Sequence, residues 1–418
     1  VAARAANAYA ATVRRPFEPP QGAHVMSQNY PLRSKPFKGA AAFAAITEEH
    51  TPSQAAVLLS FGQQLRGGTK PLLVRAAARK RQGYVEPQPE GDAAFPIPKL
   101  KGIGAPIPFD ESRERVGRLH AYKPQARAVS ARAPARYGAY ERAYRDAAER
   151  VFDKPQAANA ADLFALCLDH PKALVRIAAA IASMPLTTRP QQNVKVLVEG
   201  LRSQDDLERS VAATGLARLY PEHPALRKIS KGKTAARRVR KPPETLMLVH
   251  GTWASDAAWY RPGGDFHQFI NGLRPDLYGA PDFFQWTGGY SDGARLDGAT
   301  KLKQWVEQRN EQGLDLMGHS HGANVILKAT DLGLTIGKAV LLACPVHVDK
   351  YFPNFANLTA PVLSVRVRMD LVILADGGGQ RFRHPQIKEI VLPIWFDHGA
   401  ARDPQCWQDH NVAQKIGL

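Results

Sequence analysis

The sequence predicts an α/β protein in several parts. A mostly parallel sheet domain covers residues 245–418, an all-α helical domain covers 136–226, and a poorly ordered basic region covers 1–135. Three observations carry this prediction. Short apolar runs alternate with helical segments after Thr245. Apolar residues at three- and four-residue spacing dominate from about Ala139 to Leu219. Before them, prolines recur among Ala, Arg, Lys and Gly without the periodicity that builds a core.

Within the first 135 residues one helix is expected, from Ser53 to Leu65, where Pro52 stands just ahead of Ala55, Val57, Leu58 and Leu59. The Ala-rich start places Arg4, Arg14 and Arg15 before its first acid, Glu18, in the manner of an organellar transit segment or a basic tail. Five helices should follow. They are marked by Tyr140 to Val151, by Leu163 to Cys167, by Leu174 to Ile181, by Val194 to Leu201 and by Leu207 to Leu216. Leu174, Arg176, Ala179 and Ala180 recur 33 residues later as Leu207, Arg209, Ala212 and Ala213. The two segments resemble the inner helices of HEAT-type repeats, and an ordinary helical bundle is the alternative. Residues 227–244, with eight Lys and Arg between Arg227 and Lys241 and then Pro242-Pro243, read as a linker.

The net charge of +18 is unevenly spread. Residues 245–418 hold 16 Lys and Arg against 17 Asp and Glu, so the surplus belongs to residues 1–244. An anionic surface or a protein partner would therefore be met through that front half. Nucleic acid is disfavoured, because no aromatic residue interleaves the basic run to stack on bases. No apolar run approaches the ~20 residues of a membrane helix, and no apolar h-region marks a secretory signal. A cytoplasmic location, or an organellar or exported one reached by a non-classical route, is expected. Cys167, Cys344 and Cys406 are odd in number and widely spaced, which suits neither a disulfide framework nor a cysteine metal site. No metal or cofactor is called for.

In the last 174 residues, strands are expected at Thr245–Val249, Phe283–Trp286, Leu314–Met317, Lys338–Ala343, Pro361–Met369 and Glu389–Phe396. An amphipathic helix through Leu296, Ala299, Leu302 and Val306 should precede the third, and a last helix should run from Pro404 to Ile416. The third strand leads into Gly318-His319-Ser320-His321-Gly322 and at once into the helical run Ala323–Thr330. Such a turn needs both glycines, because a side chain at 318 or 322 would collide with the adjoining strand and helix. It raises the Ser320 hydroxyl above the sheet edge and leaves the His321 N–H at a helix start, aimed at a developing oxyanion.

A serine needs a base and an acid to orient that base. Asp370 and His398 follow the fifth and sixth strands, where parallel sheets place their sites. Asp376, in a glycine loop, is the rival acid. His410, within the last helix, is the rival base, while His384, His347 and His267 have no motif to support them. His250-Gly251-Thr252-Trp253 follows the first strand. There Gly251 lets the backbone pass close, Thr252 or Trp253 offers a second oxyanion N–H, and His250 is a structural histidine.

With these motifs in place, residues 245–418 resemble the α/β-hydrolase superfamily and its lipase- and esterase-like members. VHGTWASDAAWYRPGGDFHQFI resembles their oxyanion-loop segment, and RMDLV, DHGAARDPQCW and the elbow complete the likeness. The resemblance implies a Ser320–His398–Asp370 triad cleaving carboxylic esters, lipid esters among them. Trp253, Trp259 and Tyr260 would lie near an apolar acyl group. The competing expectation is a basic helical scaffold or targeted effector that carries the hydrolase as cargo or in degenerate form.

Overall fold

Five apolar runs after Thr245 pair into one all-parallel sheet in the computed structural model, in the order β1-β2-β3-β4-β5. They are β1 (Leu246–Val249), β2 (Asp315–His319), β3 (Ala339–Leu342), β4 (Val362–Arg366) and β5 (Ile387–Val391). The structure describes residues 39–67, 97–104, 107, 109–119, 133–226, 245–279, 282–309 and 313–418. The expected basic tail and the linker at 227–244 lie outside the described residues. Among those described, no helix is long and apolar enough to cross a membrane.

Among the described residues, eight helices precede the sheet: α1 (Gly39–Ala44), α2 (Thr51–Gly67), α3 (Phe109–Leu119), α4 (Ala133–Asp153), α5 (Ala157–Cys167), α6 (Ala173–Ser183), α7 (Gln191–Gly200) and α8 (Asp206–Leu219). Six of the described helices follow β1: α9 (Asp265–Leu273), α10 (Asp292–Gln308), α11 (His321–Asp331), α12 (Leu371–Asp376), α13 (Pro404–Asp409) and α14 (Val412–Ile416). Helices separate the strands from Thr245 onward except between β3 and β4, where a 3-10 turn at Phe355–Asn357 makes the connection.

Side chains alternate across the sheet, and each face has its own core. Val249, Leu316, Leu341 and Val362 pack with Ala299 and Leu302 of α10 and with Val325 and Ile326 of α11. Leu248, Met317, Val340 and Val365 pack on the other face with Trp259, Phe266, Trp407 and Ile416. Trp259 and Tyr260, expected near an acyl group, are thus buried in this core.

The region before residue 136 contributes more than one helix. Ala55, Ala56, Val57, Leu58 and Phe61 of α2 are all buried. A Cβ at Gly62 would lie 2.7 Å from the Cα of Ala182, so α2 and α6 cross in direct backbone contact. Small residues permit that approach, and these same alanines and glycines had made the segment look coreless. The helical core also takes in Leu371, Val372, Leu374 and Ala375 of α12. Gln63 Nε2 donates to the Leu374 carbonyl at 3.1 Å and Arg218 Nη1 to that of Ala375 at 3.1 Å.

Three elements differ from expectation. Phe283–Trp286 is not a strand. Its amides turn to side chains, with the Phe284 N–H meeting Met247 Sδ at 3.2 Å and the Trp286 N–H meeting His250 Nε2 at 3.3 Å. The last strand spans Ile387–Val391 instead of Glu389–Phe396, because Pro393 has no N–H to continue a ladder. The last helix breaks at Asn411, whose φ is 50°, into α13 and α14.

Candidate active site

Parallel register brings the functional residues to one sheet edge. Val249 lies opposite Gly318 and His319 opposite Leu342. The chain ends leaving β1, β2 and β3 therefore meet. Ser320 takes φ 54° and ψ −131°, a conformation that costs a non-glycine residue on the order of 1–3 kcal/mol. Neighbouring contacts hold it there. Its N–H donates to the Leu342 carbonyl at 2.8 Å. A Cβ at Gly318 would lie 2.7 Å from the Ala323 nitrogen, and one at Gly322 would intrude on the carbonyl oxygens of Val249 and His250. At Gly251 a Cβ would come within 2.9 Å of the Ser320 Cβ. All three glycines are thus places where backbone or side chain passes too close for any larger residue.

Asp370 is the N-cap of α12. Its Oδ1 accepts the N–H groups of Val372 at 2.9 Å and Ile373 at 3.1 Å, and its Oδ2 lies 2.6 Å from His398 Nδ1. One oxygen is spent on the helix and the other on the imidazole, so the carboxylate cannot swing. The His398 carbonyl lies 3.2 Å from His319 Nε2, and the two rings are 4.7 Å apart. Burial, reinforced by His398, drives the His319 pKa well below its ordinary value, so His319 is neutral and donates Nε2–H to that carbonyl. His398 is thereby anchored beside the residue that precedes Ser320. Ser320 Oγ itself makes no hydrogen bond to His398. Resting nucleophile–base contacts are often longer than those made with substrate bound.

The oxyanion candidates separate. The Trp253 N–H is committed to the Gly288 carbonyl at 2.9 Å. The N–H groups of Thr252 and His321 meet no acceptor among the described residues, which leaves this pair to receive developing charge. Trp253 instead stacks on Tyr290, with ring centroids 5.9 Å apart. His250 is fully buried, its Nδ1 2.9 Å from the Gly251 carbonyl and its Nε2 accepting from Trp286. Burial pushes its pKa down to about 4, so it is a neutral strut under the loop.

The other titratable candidates lie apart from Ser320. His410 falls at the break between α13 and α14, His384 stacks on Phe355, and His267 meets the Tyr278 carbonyl at 3.2 Å. Asp376 and His347, however, belong to a cluster that the sequence did not announce. His347 Nε2 lies 2.6 Å from Asp376 Oδ2, and His321 Nε2 lies 3.4 Å from Asp376 Oδ1, which also accepts the Tyr290 hydroxyl. His321 Nδ1 in turn meets Thr252 Oγ1 at 2.7 Å. Burial holds His321 down to about 4. Burial also opposes ionisation of Asp376, but His321 and His347 outweigh it and keep that carboxyl well below the usual range. The side chains of Thr252 and His321 are therefore bonded to each other and backed by a buried carboxylate.

A cavity of about 360 Å³ opens beside this cluster, lined by Arg218, Tyr290, Arg295, His347, Lys350 and Asp376 among others. Ser320 does not line it. His321, His347 and Asp376 are at least 26 residues apart in sequence and join only because β3, α11 and α12 converge. Comparison with protein-family models finds no match to this chain, and comparison with curated protein sequences finds none either.

Proposed function

We propose that this chain is a serine hydrolase of the α/β-hydrolase type that cleaves carboxylic esters, lipid esters among them. One observation carries the reading: a serine held at φ 54° between strand and helix, beside a buried carboxylate 2.6 Å from an imidazole at the same sheet edge. Strain at the nucleophile and a fixed carboxylate–imidazole pair are what nucleophilic acyl transfer uses.

The chemistry follows from the proton inventory. His398 Nε2 removes the Ser320 proton as Oγ attacks the ester carbonyl, and Asp370 stabilises the resulting imidazolium. The N–H groups of His321 and Thr252 receive the negative oxygen. His398 then returns its proton to the departing alkoxide, leaving an acyl-serine. Water repeats the sequence, giving its proton to His398 and releasing the acid. Within this reading the helical half is a HEAT-like layer, supported by the 33-residue recurrence of Leu174 and Arg176 at Leu207 and Arg209. It holds α12, and with it Asp370.

Turnover of a short-chain p-nitrophenyl ester tests the proposal. Ser320→Ala should lose roughly 10⁴-fold or more in kcat with its circular dichroism unchanged. Turnover within tenfold of the unmodified chain would overturn it.

A further inference from the structure

The triad leaves the His321–His347–Asp376 cluster unexplained. These residues come from the start of α11, the loop after β3 and the end of α12. One ligand-type atom of each lies within 4.8 Å of the other two. His321 is only 3 % exposed, and its Nε2 makes no hydrogen bond of acceptable geometry. Its Nδ1 is occupied by Thr252 Oγ1. When Nδ1–H donates to that hydroxyl, Nε2 presents a lone pair to the Asp376 carboxylate 3.4 Å away. Two acceptors facing each other in a buried site repel until a cation lies between them.

We propose that His321, His347 and Asp376 bind one divalent transition-metal ion of the zinc class. Two imidazole nitrogens and one carboxylate oxygen suit such an ion, whereas calcium and magnesium want more oxygen ligands. Ligands roughly 2.0–2.1 Å from a tetrahedral ion stand about 3.3 Å from one another. The His321–Asp376 separation already matches, and the His347–Asp376 contact of 2.6 Å opens as the metal replaces the proton they share.

The outer partners are in place. Thr252 Oγ1 holds His321 Nδ1 and the Tyr290 hydroxyl holds the second ligand, the arrangement that orients metal-bound side chains. The cavity against His347 and Asp376 supplies an entry path and room for a water in the fourth position. Its cations are partly offset, since Asp292 binds Arg295 at 2.8 Å and Lys350 at 2.5 Å.

The full, untagged chain is stripped with a chelator, dialysed against ZnCl₂, CaCl₂ or MgCl₂, and its retained metal counted by plasma mass spectrometry. One zinc per chain is expected, with neither calcium nor magnesium retained. His347→Gln, at a half-buried position on the cavity wall, should weaken zinc binding at least tenfold. Titrating the unmodified chain with CoCl₂ reads the same site without a variant. Ligand-field bands with no thiolate-to-cobalt charge transfer mean nitrogen and oxygen ligands, and exclude Cys167, Cys344 and Cys406. No stoichiometric zinc, undiminished binding in His347→Gln, or a thiolate band would each overturn the proposal.

Discussion

Asp370→Asn isolates the orienting role of the carboxylate almost without touching the fold. An asparagine oxygen can keep the two amide bonds now made at 2.9 and 3.1 Å to Val372 and Ile373. Its NH₂ then faces His398 Nδ1 across the 2.6 Å gap. A donor there forces Nδ1 to accept, which moves the imidazole proton to Nε2, and a protonated Nε2 cannot take the proton of Ser320. Flipping the amide would restore the tautomer but strand two buried N–H groups, each costing about 1–3 kcal/mol. The wrong tautomer therefore persists. A loss of about 10⁴ in kcat is expected, equivalent to roughly 5.5 kcal/mol of barrier at 1.36 kcal/mol per tenfold. Stability should barely change, since Asn caps a helix about as well as Asp. The assay is kcat on a short-chain ester with Tm on the same preparations, and Asp376→Asn should fall far less. A kcat within tenfold of the unmodified chain, at unchanged Tm, would refute the assignment of Asp370.

Other outcomes follow from burial and charge. Residues 245–418 expressed alone should lose activity and aggregate, because Leu371, Val372, Leu374 and Ala375 would forfeit the helical core that covers them; a soluble fragment with full turnover would contradict this. Burial holds His250 near pKa 4 when folded, whereas the unfolded chain takes up that proton near 6.5. As pH falls from 6.5 to 4 the unfolded state is thus favoured by about 1.4 kcal/mol per unit, on the order of 3 kcal/mol in all. A denaturant midpoint that stays flat between pH 6.5 and 4.5 would count against a neutral buried His250. Binding to anionic vesicles should weaken steeply from about 50 to 500 mM salt, as the Debye length shrinks from about 14 to about 4 Å, while turnover of a neutral ester barely responds. A parallel collapse of both would tie catalysis to the surplus positive charge before residue 245.

What could be read from sequence was local. The elbow residues Gly318, Ser320 and Gly322 sit within five positions, and Gly251 follows its strand directly, so strand–turn–helix patterning announced the strained turn. Asp370 and His398 were legible as polar residues following apolar runs, and α4 to α8 as helical periodicity. Long-range packing left no such trace. The crossing of α2 over α6 uses Gly62 and Ala182, small residues that look like low complexity until the helices meet. The pairing of His347 with Asp376 joins the loop after β3 to the end of α12. Phe283–Trp286 looked like a strand because it is aromatic and apolar, but its amides were claimed by Met247 and His250 side chains. Only the folded loop shows that the Trp253 N–H is spent on Gly288, narrowing two oxyanion candidates to Thr252.

The central claim is that Ser320 is a nucleophile activated by its neighbours. It is tested most directly by reacting the full chain with a fluorophosphonate probe and mapping the modified peptide. The account predicts a single stoichiometric adduct on Ser320, abolished in Ser320→Ala and strongly slowed in Asp370→Asn. Absence of labelling, or an adduct on a different residue, would contradict it.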